Sequence, residues 1–431
     1  MKYCANLVEY LKKIIFSDDF KDRNRTSSRF FTRKRSLPFS TLILFLINLR
    51  KNSTRTELDN FFKTLNNSDI AKISVSPSAF SQARLKLRPG AFIELNSLQN
   101  RNFYNHADPK TWHGYNLIAF DGSKCKLPNK QAIAEHFGLM HPRNGGPIPM
   151  ARISQMFDVL NKITLDAIIA PMKTGEHELA SCHVLQLRPV DLVLMDRGYP
   201  AFWLFKMILT AGSNFCARIS YKKWTVVNKF YQSGQIDQIV TLSPSPVSKK
   251  TCRELGIDTE PLRVRLIRVE LPSGETEILI TSLADSDAHP HHLFADLYHH
   301  RWPVEEDYKI MKSRLELENW SGESVISVYQ DFHAKVFIKN LAAVLVHPAQ
   351  EIIAQKTAHR KHRYQVNFTQ VLSKIKNSVV LLFNKPDLNR LLSDLIDVFV
   401  KIIEPVRPGR KYERKKKSGG KRFYPAYKTI P

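Results

Sequence analysis

Tyr298, Arg301, Glu305 and Lys312 fall within the stretch YHHRWPVEEDYKIMK at successive steps of 3, 4 and 7 residues. On an α-helix turning about 100° per residue, those steps hold the four side chains within an arc of about 60°. One carboxylate then shares an edge with three groups suited to phosphate: a guanidinium fork, an ammonium point charge and a phenol. Leu297, Val304, Tyr308, Met311 and Leu315 recur at helical spacing and would anchor that edge, while His300, Glu306, Asp307 and Arg314 fall on the far side. An ordinary amphipathic helix with solvated charges has the same pattern, so the stretch alone does not decide. Pro303 cannot donate a helical hydrogen bond; the helix kinks or begins there, which would set Tyr298 and Arg301 on a preceding turn.

Two further acids stand where strands are expected to end or turn, Asp121 in IAFDGS and Asp196 in LVLMDRGY. A carboxylate leaving a buried strand beside a Gly-containing turn is well placed to hold a hard cation, whose preferred ligands are oxygens. An Asp at such a junction also serves simply to satisfy turn amides. With Glu305 they make a strand, strand, helix order of three acids separated by 75 and 109 residues, a combination that turn chemistry alone explains poorly in so basic a chain. His289, His291, His292, His299 and His300 lack the Cys or paired acid that would complete a tetrahedral zinc set and read as a polar loop and helix face.

The elements that must position these groups divide the 431 residues into five expected segments. Residues 1–110 read as helical. NSTRTELDNFFKTLNN is capped by Ser53 or Thr54 and buries Leu58, Phe61, Phe62 and Leu65. SVSPSAFSQARLKLRPG is capped by Ser76, starts on Pro77 and stops at Pro89-Gly90. In that second helix Ala79, Phe80, Ala83 and Leu87 would face inward and Ser78, Ser81, Gln82, Lys86 and Arg88 outward, residue types that reach phosphates and base edges. Residues 111–220 carry strand patterns: NLIAFDGSKCKL as strand, turn and strand, RISQMFDVLNKITLDAIIAP as a hairpin turning at Asn161-Lys162, and VDLVLMD as a strand buried on both faces, with AFWLFKMILTAG helical. Residues 221–284 form a strand-rich insertion through WTVVNKFY, QIVTLSP, LRVRLIRVEL and TEILITSL. There Trp224 is either a base-stacking residue or, as a lone Trp usually is, core. Residues 285–400 resume the core and add C-terminal helices, and 401–431 form a basic tail.

Charge narrows the class of partner. Lys and Arg number 65 against 40 Asp and Glu, an excess of 25. It is concentrated: residues 20–35 hold seven basic residues against one acid, and the stretch from Lys401 onward eleven against two. Interleaved Phe30, Phe31, Phe423, Tyr424 and Tyr427 offer surfaces to bases or sugars, so nucleic acid is the leading partner, although charge runs are often only solvated tails. Five scattered cysteines without a CxxC pair point to a reducing cytosol. The apolar run LPFSTLILFLINL is too short to span a bilayer and reads as a core helix, and the N-terminal stretch, with charges among its apolar positions, does not read as a signal peptide; no membrane partner is expected.

Together AFDGS, ARISQMFDVLN, LMDRGY, NFCARIS and the Tyr-x2-Arg-x3-Glu-x6-Lys pattern resemble the DDE transposases of bacterial insertion sequences, the insertion sequence 4 type, whose YREK signature is matched at every interval. The resemblance implies an α/β fold, a ribonuclease H-like mixed sheet with a strand-rich insertion after an all-helical DNA-binding domain. Asp121 would lie on the first core strand, Asp196 after the fourth and Glu305 on a late helix. It implies that these three acids are catalytic and hold Mg2+, with Mn2+ as an alternative. Tyr298, Arg301, Lys312 and Arg218, with Gln82 and Lys86 of the N-terminal domain, would contact double-stranded DNA: terminal inverted repeats and target. A homodimer in the DNA complex and a place in the bacterial cytoplasm, on the nucleoid, follow. A nuclease of the same fold, or a DNA-binding protein whose catalysis has decayed, are the alternatives; the intact acids argue against the second.

Overall fold

The computed structural model describes residues 2–33, 35–48, 52–71, 75–143, 145–271 and 273–407. The basic tail, including Phe423, Tyr424 and Tyr427, lies from residue 408 onward outside them. The chain forms two compact units, one of residues 109–124 and 152–308, the other of residues 1–108, 125–151 and 309–431.

Most strands of a mixed sheet fall within the 109–124/152–308 unit. In chain order the strands are β1 (Asn116–Lys126), β2 (Leu139–Met140), β3 (Ile148–Asp158), β4 (Ile163–Pro171), β5 (Asp191–Met195), β6 (Asn214–Ile219), β7 (Asp237–Leu242), β8 (Leu262–Glu270) and β9 (Thr276–Thr281). Leaving aside the two-residue β2, the sheet order is β4-β3-β1-β5-β6-β9-β8-β7. β1, β5 and β6 are mutually parallel, and β9, β8 and β7 continue the sheet antiparallel. β5 is central and buried throughout, as an unbroken apolar run predicts. β3 and β4 form the expected hairpin, with Lys162 at φ 58 and Asp158 Oδ1 accepting from the amides of Leu160 and Asn161. The helix Phe202–Thr210 packs on the sheet, where Phe205 stacks on Phe215 of β6 with centroids 4.2 Å apart.

The structure corrects three local expectations. NLIAFDGSKCK is one strand without a turn, so Asp121 and Gly122 are strand residues. WTVVNKFY is no strand: Thr225–Ser233 is a helix that buries Val227 and Phe230, three apart on one face, and ends at Gly234 in the left-handed region. Trp224 caps that helix and packs against the apolar core, which accounts for it without base stacking. A second helix, Pro246–Glu254, opens on Ser245, so the 221–284 block is mixed, and its β9 pairs with core strand β6.

The other unit is mostly helical. The helix Thr54–Leu65 is capped by Ser53 and buries Leu58, Phe61 and Phe62; Phe39–Ile47 buries seven of its nine residues. Pro77–Arg84 is capped by Ser76 but ends at Arg84, and Pro89-Gly90 opens the helix Gly90–His106 as well as closing the preceding segment. Its inward face is narrower than expected: Phe80 and Leu87 are buried, Ala79 is exposed, and Arg84 is buried instead. Arg84 donates to Gln330 and Ser321 and pairs with Asp331 at 2.9 Å on the 32-residue helix Val325–Lys356. Among the described residues that helix is long and apolar enough to cross a membrane, and most of its apolar window is buried within the unit.

Candidate active site

Register explains how two distant acids meet. The pairs Asn116↔Asp191 through Ala119↔Leu194 hold β1 and β5 parallel with a constant offset of 75 residues. Asp121 and Asp196 are also 75 residues apart, two beyond the last pair, so both acids come at the same end of neighbouring strands about 4.8 Å apart. Asp196 leaves β5 directly, and its Oδ1 accepts from the Gly198 amide at 2.8 Å. The backbone oxygen of Asp121 accepts from the hydroxyls of Tyr308, at 2.8 Å, and Ser154, at 3.3 Å. Ser154 in turn meets His183 Nε2 at 2.9 Å, and His183 Nδ1 meets Asp166 at 2.8 Å, a buried chain that braces β1 against β3, β4 and the helix Glu176–Val184.

Glu305 arrives from a separate helix. The single helical edge expected for Tyr298, Arg301, Glu305 and Lys312 is not formed. Leu293–His299 ends before Pro303, and Pro303–Lys309 begins on it, as a proline without an N–H favours. Glu305 thus sits in a first turn, where helix dipole and carboxylate agree. Ile310–Arg314 continues as a π-helical turn, closed by Leu315 N to Ile310 O at 3.0 Å, and carries Lys312 into the other unit. Arg301 Nη2 donates to Glu305 Oε1 at 2.6 Å, and its guanidinium stands 5.8 Å from the Tyr298 ring centroid.

Electrostatics tie these groups together. Burial pushes the Asp121 carboxyl up to about 6; the Gly122 amide and Arg301 oppose the rise, and Asp196 and Glu305 add to it. Tyr298 is pushed up to about 12 by burial, moderated by Arg301 and Arg218. Burial works against the Arg218 charge, but its pair with Glu277 and the fields of Tyr298 and Asp196 outweigh it and raise the pKa. Five of the expected residues, Asp121, Asp196, Glu305, Arg301 and Tyr298, therefore share one field, with Arg218 at its margin. Gln82 is exposed and Lys86 part-buried, its ammonium 5.3 Å from the Phe30 ring centroid, both in the helical unit.

Sequence reasoning missed Tyr199, Glu176 and Arg152. Tyr199 is buried and its hydroxyl has no hydrogen-bond partner among the described residues. Burial, then Asp121, Glu176 and Asp196, raise its pKa well above the ordinary phenol value. Glu176 is paired with Arg152. LMDRGY does contain Tyr199, but only the fold brings it beside β1.

Residues 112–341, more than half the chain, match the family model of the transposase DDE domain. The chain belongs to that family. This transposase is 27% identical over 303 residues to the transposase InsG for insertion sequence element IS4 of Escherichia coli (strain K12), covering 68% of the chain and 67% of InsG. It is 23% identical over 223 residues to the putative transposase InsZ of the same organism, covering 51% of the chain and 71% of InsZ. A solved piggyBac transposase synaptic complex with hairpin DNA aligns over 94% of the chain and 87% of its own at 12% identity and a TM-score of 0.47, too loose to argue from. As a DDE transposase the protein is an enzyme that cleaves DNA, and its family works with divalent metal ions.

The donor set suits such an ion in chemistry: three carboxylates in one field, one of them raised by burial. Among the described residues no three His, Cys, Asp or Glu side chains are drawn together tightly enough to enclose an ion as they stand. Asp196 accepts from the Gly198 amide through Oδ1 and Glu305 from Arg301 through Oε1, one oxygen of each carboxylate.

Proposed function

We propose that this transposase moves a bacterial insertion sequence by cut-and-paste, hydrolysing phosphodiesters at the element's ends and transferring the freed strands to a new site. The observation that supports the reading is that Asp121 and Asp196 come at the same end of the parallel pair β1 and β5, with Asp196 and Glu305 in the field of Asp121. Asp121, Asp196 and Glu305 would hold magnesium, or manganese in its place, as hard oxygen-seeking cations. When bound, such ions polarise the phosphate and activate a water or a 3′-hydroxyl.

The chain's own residues orient the DNA. Arg301, once exchanged from Glu305, grips a phosphate as a fork, with Tyr298 and Arg218 beside it and Lys312 as a point charge. The N-terminal segment, residues 1–110, reads the terminal inverted repeats through Gln82 and Lys86, and the tail from Lys401 adds affinity without sequence preference. The 111–220 and 285–400 segments carry the acids around the 221–284 insertion. The protein works as a homodimer on two DNA ends, in the cytoplasm on the nucleoid.

The test is a joining assay with pre-cut ends bearing free 3′-hydroxyls, a target plasmid and Mg2+. Joined products are expected. Hydrolysis without joining would reduce the protein to a nuclease.

A further inference from the structure

Glu277 shares a face of the sheet with Asp121. Phe120 of β1, Ala217 and Ile219 of β6 and Ile278 of β9 all enter one apolar core. Side chains alternate along a strand, so their chain neighbours Asp121, Arg218 and Glu277 point away from that core, to the opposite face. The helix Leu293–His299, which carries Tyr298, packs over that opposite face: its Phe294 ring centroid lies 5.3 Å from the guanidinium of Arg265, and Arg265 stands between the core residues Val264 and Leu266 of β8. Arg218 also comes at the same end of β6 as Asp196 does of β5, each one residue past the pair Met195↔Ala217. On the next strand the register partner of Arg218 is Leu279, and Glu277, two residues before it, accepts a hydrogen bond from Arg218 Nη1.

That bond is the one hydrogen bond of the Arg218 guanidinium among the described residues; Nε is buried without a partner, and the side chain is 32% exposed. Tyr298, whose hydroxyl is likewise buried and unpartnered among the described residues, and Asp196 lie in the field of Arg218. Arg218 thus has donors to spare, and Glu277, 16% exposed, fixes where they point. A long arginine side chain loses rotamer freedom when it grips a phosphate, and a tether made beforehand removes that cost from the binding step. Without Glu277 the guanidinium would be drawn toward Asp196, the other acid in its field, and would oppose a cation there.

We infer that Glu277 is a positioning residue for DNA cleavage, holding the Arg218 guanidinium beside Tyr298 and away from Asp196 so that its remaining donors meet a phosphate bound next to the acids. This rests on the transposase reading above and on Arg218 as a DNA contact. Glu277, itself an acid, touches neither phosphate nor cation and acts through Arg218.

The experiment is a double-mutant cycle on single-turnover cleavage of end DNA at saturating DNA in Mg2+. Glu277→Ala should slow cleavage about 10- to 100-fold, the scale of a misplaced positioning group. Its affinity for end DNA should be equal to the wild type's or higher, because an acid leaves a phosphate-binding face, and a merely structural lesion would not split rate from affinity in this way. Glu277→Gln keeps an acceptor oxygen for the guanidinium and should lose less; it also carries the comparison if Glu277→Ala melts far below the wild type. In an Arg218→Ala background, Glu277→Ala should change the rate by less than about 2-fold. Equal slowing in both backgrounds, or wild-type cleavage by Glu277→Ala while Arg218→Ala is slow, would overturn the inference and leave the transposase reading standing. Wild-type cleavage by Arg218→Ala would remove Arg218 from the reaction and the inference with it, whereas cleavage by Asp121→Asn would remove the catalytic assignment itself.

Discussion

Asp121 lies on β1 and Asp196 directly follows its parallel neighbour β5, and the 75 residues between them equal the offset of the pairs Asn116↔Asp191 through Ala119↔Leu194. Like charges placed this way disfavour joint ionisation.

Asp121 should therefore make stability depend on pH. Its carboxyl lies at about 6 in the fold against an ordinary 3.8, first because it is buried. Between those values the folded state holds a proton the unfolded chain has lost, so stability falls as pH rises from about 4 to about 6 and stays lost above. In chelator, the wild type should lose a few degrees of melting temperature across that window relative to Asp121→Asn, which should melt higher near neutral pH. Parallel melting curves for the two proteins would remove Asp121 as the source.

Arg301 and Glu305 compete with what each is proposed to bind. The ion pair, at 2.6 Å with Glu305 34% exposed, holds one Glu305 oxygen and sets a positive charge beside any cation bound there. Arg301→Ala should raise Mn2+ affinity measured without DNA by about 2- to 10-fold, the scale of a part-exposed ion pair, while weakening DNA binding. Calorimetric titration giving equal or weaker Mn2+ binding would show that the pair does not restrain Glu305.

Short-range signals single out each acid in the sequence: an unbroken apolar strand before Asp196, an apolar run before Asp121, and the Tyr-x2-Arg-x3-Glu-x6-Lys spacing around Glu305. Helix and strand were confused where a segment was short. In WTVVNKFY the Val pair and aromatics suit a strand, yet Val227 and Phe230 also mark one helical face, and tertiary burial chose the helix. The helical edge for Tyr298, Arg301, Glu305 and Lys312 failed because Pro303 starts a new helix and a π-helical turn follows Lys309. Tyr199 and Glu176 were hidden for another reason. Their meaning comes from contacts across 50 to 80 residues of chain, which periodicity does not encode.

Arg84 shows that a basic residue on an expected DNA-facing helix can be structural. It and Asp331 are each 3% exposed and paired. Arg84→Ala should destabilise the protein by about 3 to 5 kcal/mol by stranding a buried carboxylate, and adding Asp331→Ala should recover part of the loss. Denaturant unfolding checks it; a loss under about 1 kcal/mol would mean that water reaches the pair.

Lys86 and Gln82 should behave differently from Arg84. Lys86→Ala is expected to leave melting almost unchanged and to reduce the slope of log affinity against log salt by about 1, while Gln82→Ala should weaken end DNA more than random DNA. Equal salt slopes for wild type and Lys86→Ala would take Lys86 off the phosphates.

The most direct measurement is Mg2+-dependent nicking of end-containing DNA by Asp121→Asn, Asp196→Asn and Glu305→Gln, each first shown by mobility shift to bind that DNA as the wild type does. Each substitution keeps side-chain shape while removing the charge that holds a divalent ion. The expected result is binding retained and nicking lost, by at least about a thousandfold, in all three. A variant that still nicks near the wild-type rate would contradict the three-carboxylate account at that residue.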